Sequence, residues 1–102
     1  MTTAQSLIHE TTPGGILQRE FLEPLGMSQA ELARRTGLPG SRVTEIVKGR
    51  RAITAETAVA LGALFGNSPQ FWLNLQTGCD LRRVEMKNAA AIRARVKPLE
   101  VA

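Results

Sequence analysis

Four residues in a row set the geometry at the centre of this chain. Ser28-Gln-Ala-Glu31 has the spacing of a capping box, in which the Ser28 hydroxyl accepts from the backbone N–H of Glu31 and the Glu31 carboxylate reaches back to the N–H of Ser28. A helix must begin there. It carries Leu32 and Ala33 inward and stops at Gly37, the residue best suited to the left-handed conformation that follows a last helical turn. Leu38, Val43, Ile46 and Val47 then give the apolar stripe of another short helix, beginning near Pro39 or Gly40 and ending at Gly49, whose other face is polar. Two short helices joined across a glycine turn have the spacing of a helix-turn-helix unit.

The rest of the chain reads as helices, with no strands. Thr12-Pro13 is an N-cap followed by proline at the first helical position, and Ile16, Leu17, Phe21 and Leu22 continue at helical spacing until Pro24 and Gly26 break the pattern. Thr54 can cap a helix with Ala58, Leu61, Leu64 and Phe65 inward and Gly66 as its stop. Ser68-Pro69 repeats the cap-then-proline signal before Phe71, Trp72 and Leu75. Asp80 can cap a final helix with Leu81, Val84, Asn88, Ala91 and Ile92 on one stripe, fading before Pro98. A length of 102 residues allows one small domain. The expectation is an all-α, compact domain of about five helices plus a C-terminal helix: an arm over 1–12, a helix-turn-helix domain over 13–81, and a C-terminal helix and tail over 82–102.

Composition removes several functions. Cys79 is the only cysteine and His9 the only histidine, so neither a disulfide framework nor a multi-ligand zinc site can be assembled, and a catalytic triad has no credible members. No enzyme, metal or cofactor is expected. No apolar run approaches the roughly 18 to 20 residues that span a bilayer, and Met1 to Glu10 lacks the basic start and apolar stretch of a signal peptide, so a cytoplasmic protein without membrane contact is expected.

Charge is unevenly placed. The net charge is +4, which favours an acidic partner without naming it. Up to Ala33 there is one basic residue, Arg19, against Glu10, Glu20, Glu23 and Glu31. From Arg34 to Arg51 the balance inverts, with Arg34, Arg35, Arg42, Lys48, Arg50 and Arg51 facing only Glu45. No cation follows until Arg82, where Arg83, Lys87, Arg93, Arg95 and Lys97 form a second basic segment. Two basic segments suggest two surfaces, although the second carries no other signal and also fits a solvated helix face.

The first segment coincides with the helix-turn-helix spacing, and such units lay their second helix in the major groove. Gly40, Ser41 and Arg42 open that helix, Thr44, Glu45 and Lys48 continue its outward face, and Arg50 and Arg51 follow it. Arg42 can read guanine through O6 and N7, Glu45 can accept from a cytosine amino group, and Ser41 can contact base or phosphate. At Gly40 only close backbone approach is available. Gln29, in the first turn of the preceding helix, can meet a phosphate, and Arg34 adds charge beside it. Each of these is also what an ordinary wet helix surface carries, and Glu45 could instead pair with Arg42 three residues back.

The run Pro13-Gly-Gly-Ile-Leu17, the segment Glu20-Phe-Leu-Glu-Pro-Leu-Gly26, then Met27-Ser-Gln-Ala-Glu-Leu-Ala33 and Val43-Thr-Glu-Ile-Val-Lys-Gly-Arg-Arg-Ala-Ile-Thr54 resemble the HigA (VapI-like) family of Xre-type helix-turn-helix antitoxins. Phe71-Trp-Leu-Asn-Leu-Gln76, with Asp80-Leu81, narrows the resemblance from Xre-like proteins in general. It covers about residues 13–81. Cys79 departs from it, standing where the family carries an aromatic, usually Tyr. The resemblance implies a homodimer on double-stranded DNA, at a palindromic operator in its own promoter, and neutralisation of a HigB-like mRNA-cleaving ribonuclease toxin.

A dimer also has a physical argument, since one short recognition helix covers one half-site and a few phosphates. Leu73, Leu81 and Val84 are the candidate interface residues, whereas Trp72 reads equally well as the core tryptophan. Two other readings share these residues: a free-standing Xre-type transcriptional regulator without a toxin, and a protein-interaction module that has lost DNA binding. The capping box carries its own test. Ser28→Ala should cost about 1 kcal/mol in urea or thermal unfolding, and a loss below about 0.3 kcal/mol would mean that the hydroxyl cap is not made.

Overall fold

Residues 12–100 are described by the structure, a computed structural model, and every regular element among them is helical. The first helix, α1 (13–25), is continuous but changes pitch: Pro13–Ile16 is α-helical, Leu17–Leu22 is π-helical and Glu23–Leu25 is α-helical. It is followed by α2 (Gln29–Thr36), α3 (Gly40–Val47), α4 (Ala55–Phe65), α5 (Pro69–Lys87) and α6 (Ala89–Arg95). The arm expected over 1–12 lies outside the described residues except for Thr12.

Four helices start on the hydroxyls that the sequence offers. Thr12 Oγ1 accepts from the Gly15 N–H at 3.1 Å, Ser28 Oγ from Glu31 at 3.0 Å, Thr54 Oγ1 from Thr57 at 3.4 Å and Ser68 Oγ from Phe71 at 3.1 Å. Only half of the capping box forms. The Glu31 carboxylate accepts from Arg35 Nε at 2.8 Å, because a guanidinium one turn further along the same face is a stronger donor than a water-exposed amide. Gly37, at φ 78°, ends α2 and returns its N–H to the Ala33 carbonyl at 2.9 Å.

Two helix ends differ from expectation. Pro24 does not stop α1, which runs through it to Gly26. Proline inside a helix removes one donor and presses its ring on the carbonyl four residues earlier, and the wider π-helical turn just before it makes room for that ring. The Met27 N–H then bonds the Leu22 carbonyl at 2.9 Å and the Gly26 N–H that of Glu23 at 3.1 Å, a Schellman ending. Asp80 caps nothing. Its Oδ1 accepts from Gln76 Nε2 at 2.9 Å and Arg83 Nη1 at 3.3 Å, one turn to either side, so α5 passes straight through it. The break comes at Asn88, whose backbone leaves the helical region (φ −145°, ψ 15°). α6 then folds back until the Arg93 guanidinium grips the Glu85 carboxylate with both nitrogens, one at 3.0 Å, holding that carboxyl below its usual pKa range.

Trp72 sits at the centre of the core with no exposed surface. Phe21 lies 4.8 Å and Phe71 5.1 Å from it between ring centroids, and its Nε1 donates to Asn67 Oδ1 at 2.7 Å, so the one polar atom of a buried indole is satisfied. Around it pack Leu17 and Leu22 of α1, Leu32 of α2, Val43 and Ile46 of α3, Ile53, and Ala58 and Leu61 of α4. The two helices of the helix-turn-helix therefore contribute their apolar stripes to one core shared with α1, α4 and α5, and their polar faces are left outside.

The first turn of α1 presses on the last turn of α3. A Cβ on Gly14 would lie 1.8 Å from the Ile46 carbonyl oxygen and 3.0 Å from Val47 Cα, both backbone atoms that cannot swing away. Gly14→Ala should therefore cost at least about 1–3 kcal/mol in urea unfolding, as overpacked cores do. Wild-type stability in that variant would mean that α1 and α3 do not meet at this distance.

Candidate nucleic-acid interface

With Val43, Ile46 and Val47 turned inward, helical geometry puts Ser41, Thr44, Glu45 and Lys48 on the opposite face of α3, and Gly40 lies at its start on the side of Val43 and Val47. Ser41 and Lys48 are exposed, and Thr44 and Glu45 are half-buried. Thr44 Oγ1 donates to Gln29 Oε1 at 3.2 Å, which pins the first turn of α2 to the outward face of α3. With its carbonyl occupied, Gln29 keeps its amide hydrogens for an acceptor outside the protein. Gly40 begins α3 in open space, with no atom beyond its chain neighbours and its own helix backbone within 4 Å of a Cβ placed there. The fold does not require a glycine at that position, and a neighbouring molecule can come close to its backbone.

Arg42 is set by a partner that spacing alone does not reveal. Its Nη1 meets Glu56 Oε1, in the first turn of α4, at 3.3 Å, and its side chain is 27% exposed. The alternative pairing with Glu45 is not made, because the guanidinium turns across to α4 instead of along its own helix. A guanidinium has five donors, so most of them remain available beyond the carboxylate. Arg34 is exposed at the end of α2, whereas its neighbour Arg35 is spent on Glu31. After α3 the chain turns at Gly49, the Arg50 N–H bonds the Glu45 carbonyl at 2.8 Å, and Arg50 and Arg51 project with no ion pair among the described residues. Gln76 secures this loop from α5, its Oε1 accepting from the Ile53 N–H at 2.8 Å. Glu56 and Gln76 were not singled out from sequence. Both act across the fold on residues far away in the chain, and only the identity of Gln76 within the Phe-Trp-Leu-Asn-Leu-Gln segment hinted at a role.

The candidate interface residues divide. Leu73 is half-buried against the domain's own core, whereas Leu81 (58%) and Val84 (39%) stand exposed on the outer half of α5. Cys79 is buried, with Arg82 Nη2 3.3 Å from its Sγ, and burial pushes its thiol pKa up despite the neighbouring arginines. No helix among the described residues is long and apolar enough to cross a membrane.

A helix-turn-helix family model matches residues 18–72, which reach from α1 into α5. Virulence-associated protein I of Dichelobacter nodosus is 47% identical over 73 residues, covering 72% of this chain and 68% of that protein. A Haemophilus influenzae protein described as an uncharacterized HTH-type transcriptional regulator is 43% identical over 89 residues, covering 86% and 83%. The antitoxin HigA of Pseudomonas aeruginosa, solved with the higBA promoter, superimposes with a TM-score of 0.81 at 39% identity, covering 86% of this chain and 96% of that one.

The chain belongs to the HigA (VapI-like) family of Xre-type helix-turn-helix proteins. The six helices among the described residues are thus a HigA-type fold, with the two short helices around Gly37 as its helix-turn-helix, and the family is one of DNA-binding antitoxins and regulators, not of enzymes. At 86% of this chain the HigA superposition takes in more than the 18–72 that the helix-turn-helix model matches.

Proposed function

We propose that this HigA-type protein is an autorepressing antitoxin: a homodimer that binds a palindromic operator in its own promoter and neutralises a HigB-like mRNA-cleaving ribonuclease. The observation that carries the DNA reading is the Thr44–Gln29 hydrogen bond. It fixes the phosphate-facing turn of α2 and the outward face of α3 as one surface, in a fold that superimposes on a HigA solved with promoter DNA. On that surface Ser41, Arg42, Thr44 and Glu45 face base edges, with Gly40 allowing close approach, while Gln29, Arg34, Lys48, Arg50 and Arg51 face phosphates. Such a role places the protein in the cytoplasm with the DNA. Two copies paired through Leu81 and Val84, with the exposed part of Leu73, would present two recognition helices to the two half-sites. The toxin partner rests on family membership. A regulator without a toxin is the second reading, and the name of the Haemophilus influenzae relative favours it; co-purification with the product of the adjacent reading frame separates the two.

In gel-shift titrations on the protein's own promoter, affinity should fall steeply with salt, since a dimer making on the order of 6–10 phosphate contacts releases a comparable number of counterions. Arg42→Ala should cost roughly 1–3 kcal/mol on the cognate site and blur one base position, whereas Arg50→Ala should weaken all sequences alike. Equal affinity of the wild type for promoter and random DNA would remove the operator reading.

Leu81→Glu should separate the protomers, because an unpaired carboxylate at a two-fold contact costs several kcal/mol, of order 3–5, and sedimentation should show a monomer with an unchanged circular dichroism spectrum. A wild-type monomer, or a variant that stays dimeric, would sink the pairing.

A further inference from the structure

The two basic segments, separated in sequence by thirty residues without a cation, come together in the fold. The loop after α3 and the middle of α5 enclose a cleft of about 210 Å³, whose walls carry Arg50 and Arg51 on one side and Arg83 on the other. Thr12, Pro13 and Gly14 at the start of α1 line it together with Ile46, where the backbones of α1 and α3 meet. Among the described residues one carboxylate, Asp80, shares the space. It holds Arg83 at 3.3 Å in a pair that is about half exposed on both sides, which makes the pair weak and exchangeable. Asp80 is also held by Gln76 Nε2 at 2.9 Å, and Gln76 by the Ile53 N–H at 2.8 Å, so the acid keeps a partner if Arg83 turns away. Arg50 and Arg51 have no ion pair among the described residues.

We propose that this cleft is a phosphate site, in which Arg83 of α5 joins Arg50 and Arg51 to grip one DNA backbone phosphate beside the groove that α3 enters. The inference rests on the DNA-binding reading above and adds to it a residue outside the helix-turn-helix. Three guanidinium groups against one carboxylate among the described residues favour an anion, and their planar forks match the paired oxygens of a phosphate. The position selects DNA as the source. Arg50 and Arg51 continue directly from the recognition helix, so a backbone strand leaving the outward face of α3 next meets them and then Arg83. On binding, Arg83 exchanges its exposed carboxylate for the phosphate while Gln76 retains Asp80.

The test is a salt series on the full-length protein, with fluorescence anisotropy on operator duplex and on an unrelated duplex of the same length. Arg83→Gln should weaken both duplexes by the same factor and reduce the slope of log affinity against log salt by about one per half-site. Arg83→Lys should restore the slope, and Arg82→Gln, whose guanidinium turns to Cys79 instead, should leave it unchanged. Sedimentation should show Arg83→Gln with the wild-type oligomeric state. An unchanged slope in Arg83→Gln, a loss confined to the operator, or a variant that has become monomeric would each overturn the proposal. Calorimetry with inorganic phosphate addresses the other source of the same chemistry: heat that disappears in Arg83→Gln while the DNA slope stays put would mean a small phosphorylated ligand and overturn the DNA assignment. If the wild type binds no DNA at all, the functional reading itself fails.

Discussion

The contact on which this structure depends is made without side chains. At Gly14 the backbone of α1 lies directly on the Ile46 carbonyl at the end of α3, and no residue with a Cβ fits there. That approach fixes the tilt of α3 against the body of the domain, while Val43 and Ile46 anchor the same helix from inside. A helix of eight residues has little stability of its own. Held at its end by Gly14 and beneath by the core, it can keep an outward face of polar side chains that contribute nothing to folding.

Polar cross-links then orient that face. Thr44 to Gln29 ties α3 to α2, Arg42 to Glu56 ties it to α4, and Gln76 to Ile53 ties the following loop to α5. The Arg42–Glu56 pair is open to solvent and contributes little to stability; its effect, with that of the Thr44–Gln29 bond, is to limit the rotamers from which Gln29 and Arg42 start. Side chains already held near one orientation lose less entropy on meeting a partner than freely moving ones.

What could be read from sequence follows the range of each interaction. Thr12, Ser28, Thr54 and Ser68 cap donors three residues ahead, and Gly37 closes on Ala33, so these starts and stops were legible without any knowledge of the fold. Asp80 looked like a fifth cap. An aspartate can cap a backbone or accept from side chains one turn away, and the presence of Gln76 and Arg83 at those positions decided for the second. Pro24 misled in the same manner, since a change in helical pitch ahead of it is not written in any one residue. The outward residues of α3 were legible because they fall on one helical face. Glu56, which holds Arg42, and Gln76, which holds the loop after α3, were not, because their partners lie 14 and 23 residues away.

The unbroken passage of α5 through Asp80 has a mechanical consequence. Nineteen residues without a cap or a turn make a rod about 28 Å long. Its inner end is set in the core by Trp72, its middle touches the loop beyond α3 through Gln76, and its outer half carries Leu81 and Val84 into solvent. Gly78 lies midway along it, with only the Arg82 side chain near the place of a Cβ, at 3.9 Å, so close packing does not require a glycine there. A single uninterrupted helix therefore joins the exposed Leu81 and Val84 to the loop that follows α3, so whatever seats on the outer half of the rod sits at a fixed distance from that loop.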